Sequence, residues 1–91
     1  MTPDDATTYQ FFKAISANQR SYLCDFHKIN YRPGRDAYRV VLQCFNQKDI
    51  TVDLECVKNG AWHITDATDD IPAELEWKLI TAIVEQANKP K

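Results

Sequence analysis

The spacing of hydrophobic positions changes twice along this chain, and each change predicts a different element. Between residues 8 and 19 the larger side chains recur every three or four positions, as on one stripe of a helix. The stripe consists of Thr8, Phe11, Phe12, Ile15 and Gln19, with Tyr9 at its flank. The Thr-Pro-Asp-Asp at residues 2–5 offers an N-cap, a first-turn proline and two acidic groups for the positive end of the helix dipole. The pattern predicts an N-terminal helix that ends near Asn18.

From Arg20 onward the apolar period is two, which predicts four antiparallel strands with one common inner face. That face carries Tyr22, Cys24, Phe26, Tyr38, Val40, Leu42, Cys44, Ile50, Val52, Leu54, Cys56, Trp62 and Ile64. The first two strands are predicted at residues 21–31 and 37–45, joined by the loop 32–36. Loops of odd length are required, because an even loop would turn one apolar row into water. This rule places Phe26 opposite Leu42.

The last hairpin contains Asn59-Gly60, which by itself favours a two-residue turn. That turn would put Trp62 on the face opposite to Cys56. A three-residue loop at 58–60, with Gly60 in the left-handed conformation, restores Cys56 opposite Trp62. Burial therefore favours the longer loop.

A second helix is predicted from Pro72 to about Asn88, with Asp69 or Asp70 as its cap. Its apolar side chains cover more than half of the circumference, which is wider than contact with one sheet requires. They are Leu75, Trp77, Leu79, Ile80, Ala82, Ile83, Val84 and Ala87. This width predicts two packing partners: the sheet, and either the first helix or another protein.

These elements predict a single α+β domain over residues 1–91, a two-layer sandwich of order α-β-β-β-β-α with a four-stranded antiparallel meander. A hydrophobic fraction of 44% and a charged fraction of 26% are ordinary for a globular domain. No apolar run is long enough to span a membrane, and the polar, acidic N-terminus does not resemble a signal peptide. Three cysteines without C-x-x-C spacing favour a reducing compartment, so a cytoplasmic location is expected.

The three cysteines all fall on the inner face, where free thiols usually act as small buried hydrophobes. The predicted register brings Cys24 beside Cys44 but leaves Cys56 about 20 Å away along the strands. One metal site cannot gather all three, and no cofactor is predicted. A redox-responsive contact between Cys24 and Cys44 is the alternative.

The outer face carries two histidines beside carboxylates. The predicted rows are Arg39, Glu55 and His63, followed by His27, Val41 and Asp53. A histidine oriented by a carboxylate suits a base or a metal ligand. However, no Ser or Cys nucleophile stands beside either pair, and flat sheet faces rarely form pockets. Charge pairing on a solvated sheet is favoured, so no enzymatic activity is predicted; a small enzyme or metal site around His27 and His63 is the less favoured alternative.

The charge of the chain is uneven. The formal net charge is −2, yet residues 20–39 contain five basic and two acidic side chains, a net charge of +3. Their centre is the predicted hairpin 30–39, NYRPGRDAYR, in which basic and aromatic side chains alternate as on nucleic-acid surfaces. A pI of about 5.6 disfavours nucleic acid, because most binders of nucleic acid are basic. For the hairpin itself a plain solvated loop is the favoured interpretation; among partners, an acidic protein is favoured over nucleic acid.

The sequence therefore predicts a small non-catalytic interaction module or adaptor that uses the outer sheet face and the basic hairpin. The predicted partner-binding residues are His27, Tyr31, Arg32, Arg35, Arg39 and Phe45. A nucleic-acid-binding module acting through the same hairpin is the alternative, and no membrane partner is expected. A homodimer is a further hypothesis, either through the edge of the first predicted strand, residues 21–31, or through the C-terminal helix.

Overall fold

The computed structural model describes residues 7–29, 36–56 and 60–87, which form five strands and one helix. The elements are β1 (Thr7–Ala17), β2 (Arg20–Ile29), β3 (Ala37–Gln43), β4 (Ile50–Cys56), β5 (Trp62–Ala67) and α1 (Ala73–Ala87). The strands form one antiparallel meander in the order β1-β2-β3-β4-β5. Helix α1 packs on the inner face, so the class is α+β.

The predicted N-terminal helix is wrong, because residues 7–17 form strand β1. Threonine, aromatic residues and isoleucine dominate this segment and favour a strand wherever a partner strand is available. Residues Asn18 and Gln19 both have positive φ, 54° and 62°, as in a two-residue type I′ turn that folds β1 back on β2. The element order is therefore β-β-β-β-β-α. The predicted helix residues 1–6 lie outside the described part.

The inner face contains the predicted apolar residues, but two registers differ from the prediction. Phe26 lies opposite Val40, not Leu42, and Val40 lies opposite Val52. Both ladders are shifted by two residues from the predicted alignment. Because side chains alternate with a period of two, such a shift leaves every residue on its predicted face and changes only its neighbours.

The last hairpin has the predicted register. Cys56 lies opposite Trp62, and Leu54 lies opposite Ile64. Gly60 has a φ of 86°, the left-handed conformation that the prediction required of it. Residues 57–59 of this loop lie outside the described residues.

The C-terminal helix is confirmed at residues 73–87, with a different cap. The first helical hydrogen bond runs from the Glu76 N–H to the carbonyl of Pro72, at 3.0 Å, so Pro72 occupies the cap position. The carboxylate of Asp69 instead accepts a bond from the Asp70 N–H. The 15-residue α1, the helix within the described residues, is neither long nor apolar enough to cross a bilayer.

The core lies between α1 and the inner face of the sheet. Its fully buried side chains come from three central strands and the helix: Cys24, Phe26, Val40, Leu42, Val52, Leu54, Leu75, Leu79 and Ile83. The ring of Phe11 on β1 stacks on that of Phe26, with centroids 4.3 Å apart. This contact anchors β1 to the core and leaves the opposite face of the sheet for other uses.

Candidate interaction surface

The outer face of the sheet carries side chains that alternate with the core residues, and none of the described elements packs across its centre. Because α1 occupies the inner face, it leaves several outer side chains of β1 and β2 exposed to water. Their chemistry therefore decides what this surface can bind.

Three large apolar side chains on this face are exposed. Tyr9, Phe12 and Leu23 have 54%, 52% and 47% of their surface accessible. Phe12 pairs with Asp25, two residues from Leu23, so Phe12 and Leu23 are diagonal neighbours. We call Tyr9, Phe12 and Leu23 the apolar patch. Contiguous apolar groups of this kind are typical of contact surfaces.

A polar row crosses the sheet beside the apolar patch. Tyr9 lies opposite His27, His27 opposite Arg39, and Arg39 opposite Asp53. The ring of Tyr9 meets that of His27 edge-on, with centroids 5.5 Å apart. Arg39 donates from Nε to Asp53 Oδ1 at 2.9 Å and from its terminal nitrogen to Oδ2 at 3.1 Å, a bidentate, partly buried ion pair. The positive charge of Arg39 is thus largely neutralised within the fold.

The outer face is buried at its far end. Ile29 and Ala37 are shielded from solvent although they lie on the same side of the sheet as His27 and Arg39. Glu55, opposite Ala37 and His63, is 5% exposed. The predicted Glu55–His63 neighbours are therefore confirmed, whereas the prediction that Arg39 shares their row is wrong because of the register shift.

The predicted partner-binding residues are only partly brought together. His27 and Arg39 are direct neighbours on the outer face. Phe45 is 88% exposed but lies in the turn between β3 and β4, closed by a bond from the Gln47 N–H to the Cys44 carbonyl. The other three predicted residues, Tyr31, Arg32 and Arg35, lie outside the described residues.

The sequence pattern does not indicate the apolar patch. The helical spacing of residues 8–19 places Tyr9 and Phe12 on a helix, which gives them no sheet face. Leu23 could have been found, because it alternates with the inner residues Tyr22 and Cys24. The edge assignment also changes: residues 20–29 pair on both sides, with β1 and β3, so the predicted edge at 21–31 is wrong and β1 occupies the edge.

The thiols do not form a cluster. Cys24 lies opposite Leu42 and is fully buried, whereas Cys44 and Cys56 are half-buried; all three are free. Burial, reinforced by the charge of Asp25, raises the pKa of Cys24 from its ordinary 9.0 to about 12. A thiol held protonated is a poor nucleophile. Within residues 7–29, 36–56 and 60–87, no three His, Cys, Asp or Glu side chains are placed to share a metal ion.

Comparison with protein-family models, with curated proteins and with solved structures finds no match to this chain.

Proposed function

We propose that this chain is a small non-catalytic interaction module that binds a protein partner with the outer face of its sheet, assisted by the basic hairpin 30–39. The observation that carries the proposal is the apolar patch: three large side chains, each about half exposed, on a face that the helix leaves open. A solvated sheet face would normally expose polar side chains at these positions.

The composition of this face supports a protein partner. Protein interfaces combine an apolar centre with aromatic residues and arginine, surrounded by polar groups. Tyr9, Phe12 and Leu23 supply the centre, and the pair of Arg39 with Asp53 lies beside it with its hydrogen bonds already satisfied. An ion pair that is preformed in the free protein needs no reorganisation when a partner arrives.

The electrostatic part of the proposal rests on the hairpin. Since Asp53 neutralises Arg39, attraction toward an acidic partner comes chiefly from Arg32 and Arg35. The partner that fits is therefore a protein with an apolar centre and acidic residues at its rim. Rim charges mainly affect the association rate and its salt dependence.

The apolar half of the proposal is tested by comparing proteins captured from the native host by the wild type, by Leu23→Asp and by Val84→Asp. Both leucine and valine are exposed, on opposite sides of the molecule, so each variant keeps the core and adds the same charge. We expect Leu23→Asp to lose a specific partner that wild type and Val84→Asp retain. Equal capture by all three proteins would overturn the role of the outer face.

The role of the basic hairpin is tested by measuring the affinity for the captured partner at a series of salt concentrations. The variant Arg32→Ala/Arg35→Ala should bind more weakly at low salt and show a shallower salt dependence. The matched control, Arg20→Ala/Lys48→Ala, removes the same charge from two exposed positions, the start of β2 and the loop between β3 and β4, and should keep the wild-type dependence. If both double variants behave alike, only the net charge matters and the hairpin has no specific role.

A further inference from the structure

We infer that two copies of this chain pair through strand β1 and form a continuous ten-stranded sheet. β1 is eleven residues long and lies at the edge of the sheet. Among the described strands it pairs only with β2, so one side of its backbone is open. A long open edge is a template for another strand.

The backbone groups on the open side can be assigned from the hairpin. In a two-residue hairpin the closing pair, here Ala17 and Arg20, exchanges both hydrogen bonds, and bonding then alternates along the strand. Phe12, Ala14 and Ser16 consequently direct their N–H and C=O groups away from β2. The Nζ of Lys78 donates to the carbonyl of Ser16, as this assignment requires.

Little in β1 protects this edge. Natural edges are commonly guarded by proline, by unpaired charges or by bulges. Residues 11–17 contain no proline, and their single charge, Lys13, is paired with Glu85 at 3.5 Å. The bulge between Tyr9 and Phe11 interrupts only the beginning of the strand. The stretch from Phe11 to Ile15 is therefore regular and open, whereas the Ser16 carbonyl beside it already accepts a bond from Lys78.

Apolar side chains flank the open edge on both faces of the sheet. On the helix side a cavity of about 230 Å³ runs between β1 and α1; Ile15 and Trp77 form its apolar part, and the charged Lys13, Lys78 and Glu85 also line it. Trp77 is 64% exposed beside it. On the outer side stands Phe12. This arrangement accounts for the apolar width of α1, which exceeds what one sheet can cover: Trp77 faces the side from which a second copy would approach.

A two-fold axis can pass close to Ala14, perpendicular to the sheet. It brings together both the open backbone edges and the apolar side chains that flank them. It sets the two β1 strands antiparallel, places both α1 helices on the same side and brings the two Trp77 stripes toward each other. With the axis at Ala14 the two strands overlap over residues 11–17, about 23 Å, and the sheet-plus-helix layer is about 20 Å deep, so at most about 460 Å² is buried per copy. That is little more than half of the roughly 800 Å² per partner of a standard stable interface, which is the size of a weak, concentration-dependent contact.

A second copy fits this edge better than a single extended peptide. A lone strand would satisfy the groups of Phe12 and Ala14 but would cover little more than the cavity beside Trp77. A second copy supplies an equally open strand together with its own Trp77 and Phe12. The open backbone N–H and C=O groups then bond to each other, and the apolar side chains of the two copies pack together. Both outer faces then lie on one side of the dimer, although the pairing does not depend on what those faces bind.

The test is sedimentation equilibrium of the wild type, Ala14→Lys and Gln43→Lys over a range of protein concentrations. Ala14 is exposed near the axis, so Ala14→Lys sets two like charges against each other across it. We expect the dissociation constant of the dimer to rise at least about tenfold. Gln43→Lys adds the same charge at an exposed position on β3 and should dimerise like the wild type. A monomeric wild type, or equal effects of the two variants, would overturn the inference.

Amide hydrogen exchange of the wild type identifies the surface directly. In the monomer the N–H groups of Phe12 and Ala14 face water and should exchange fast; in the dimer they should be protected, increasingly so as concentration rises. A dimer in which these amides still exchange fast uses another surface and contradicts the β1 pairing. Because this measurement uses the wild type alone, its outcome is independent of the capture experiments that test the outer face.

Discussion

The two faces of the sheet are built from the same strands and the same alternation, yet they are ordered by different forces. The inner face is dry: Cys24, Phe26, Val40 and Leu42 are fully buried under α1, and their contribution is the removal of apolar surface from water. The outer face keeps apolar side chains in water and holds its centre with the ion pair of Arg39 and Asp53. The position of α1 decides which face is stabilised by burial and which one by charge pairing.

The same difference governs the chemistry available on each face. Burial keeps the Cys24 thiol on the inner face protonated, which makes it a poor nucleophile. On the outer face Arg39 and Asp53 are in hydrogen-bonding range of each other and are already paired. A surface of paired charges beside exposed apolar groups is suited to recognising another protein.

The largest effect should come from making one substitution on both faces. Leu42→Ala removes a fully buried side chain and should lower the free energy of unfolding by about 2–5 kcal/mol. Leu23→Ala removes a side chain that is about half exposed and should lower it by less than about 1 kcal/mol. Urea denaturation, monitored by circular dichroism at low protein concentration, measures both values.

The same two variants test whether only the inner face is closely packed. A similar loss for Leu23→Ala would mean that the outer face is as closely packed in solution as the inner one, for instance against another element. A small loss for Leu42→Ala would place the core elsewhere. In either case the assignment of the two faces would have to be revised.

The two faces themselves were predictable from the sequence from β2 onward, since they depend only on alternation. The alignment of neighbouring strands was not, because burial fixes a register only to within two residues. Val40 and Leu42 are both apolar, so either suits a position opposite Phe26. The loop around Gly60 was predictable because there a shift of one residue would have exposed Trp62.

Strand β1 was not predictable from its own pattern. Phe11, Phe12 and Ile15 fit a helical stripe as well as a strand with a bulge, and the pairing with β2 decides between them. The residues of the turn do not predict a hairpin, because Gln19 occupies a left-handed position where glycine is the usual residue. Since Tyr9 and Phe12 belong to this strand, the apolar patch was not predictable either.

The pH dependence of stability probes the inner face. Below pH 9 the Cys24 thiol is protonated in both the native and the unfolded chain, so its contribution to stability is fully present. Between pH 9 and about 12 the unfolded chain loses this proton while the native state keeps it. The free energy of unfolding should therefore fall with rising pH, by at most about 1.4 kcal/mol per pH unit. Burial also raises the pKa of Tyr38, which adds a decline in the same direction above its ordinary pKa of 10.0.

Urea denaturation at pH 8, 9 and 10 of wild type and Cys24→Ala isolates the thiol. The alanine variant keeps the contribution of Tyr38 and should lose that of Cys24, so its stability should fall less steeply. Parallel pH profiles for the two proteins would contradict a buried, protonated thiol and place Cys24 in contact with water.

The smallest expected effect belongs to the outer face, where a double-mutant cycle isolates the Arg39–Asp53 pair. Arg39→Gln, Asp53→Asn and the double variant should give a coupling free energy of about 0.5–1 kcal/mol, because the pair is bidentate but only partly buried. The coupling should shrink between low salt and about 1 M salt, where the screening length falls to roughly 3 Å. The loss caused by Leu42→Ala should not shrink with it. A coupling that is near zero at low salt would show that charge pairing does not order the outer face, and the apolar patch would remain as its only organised feature.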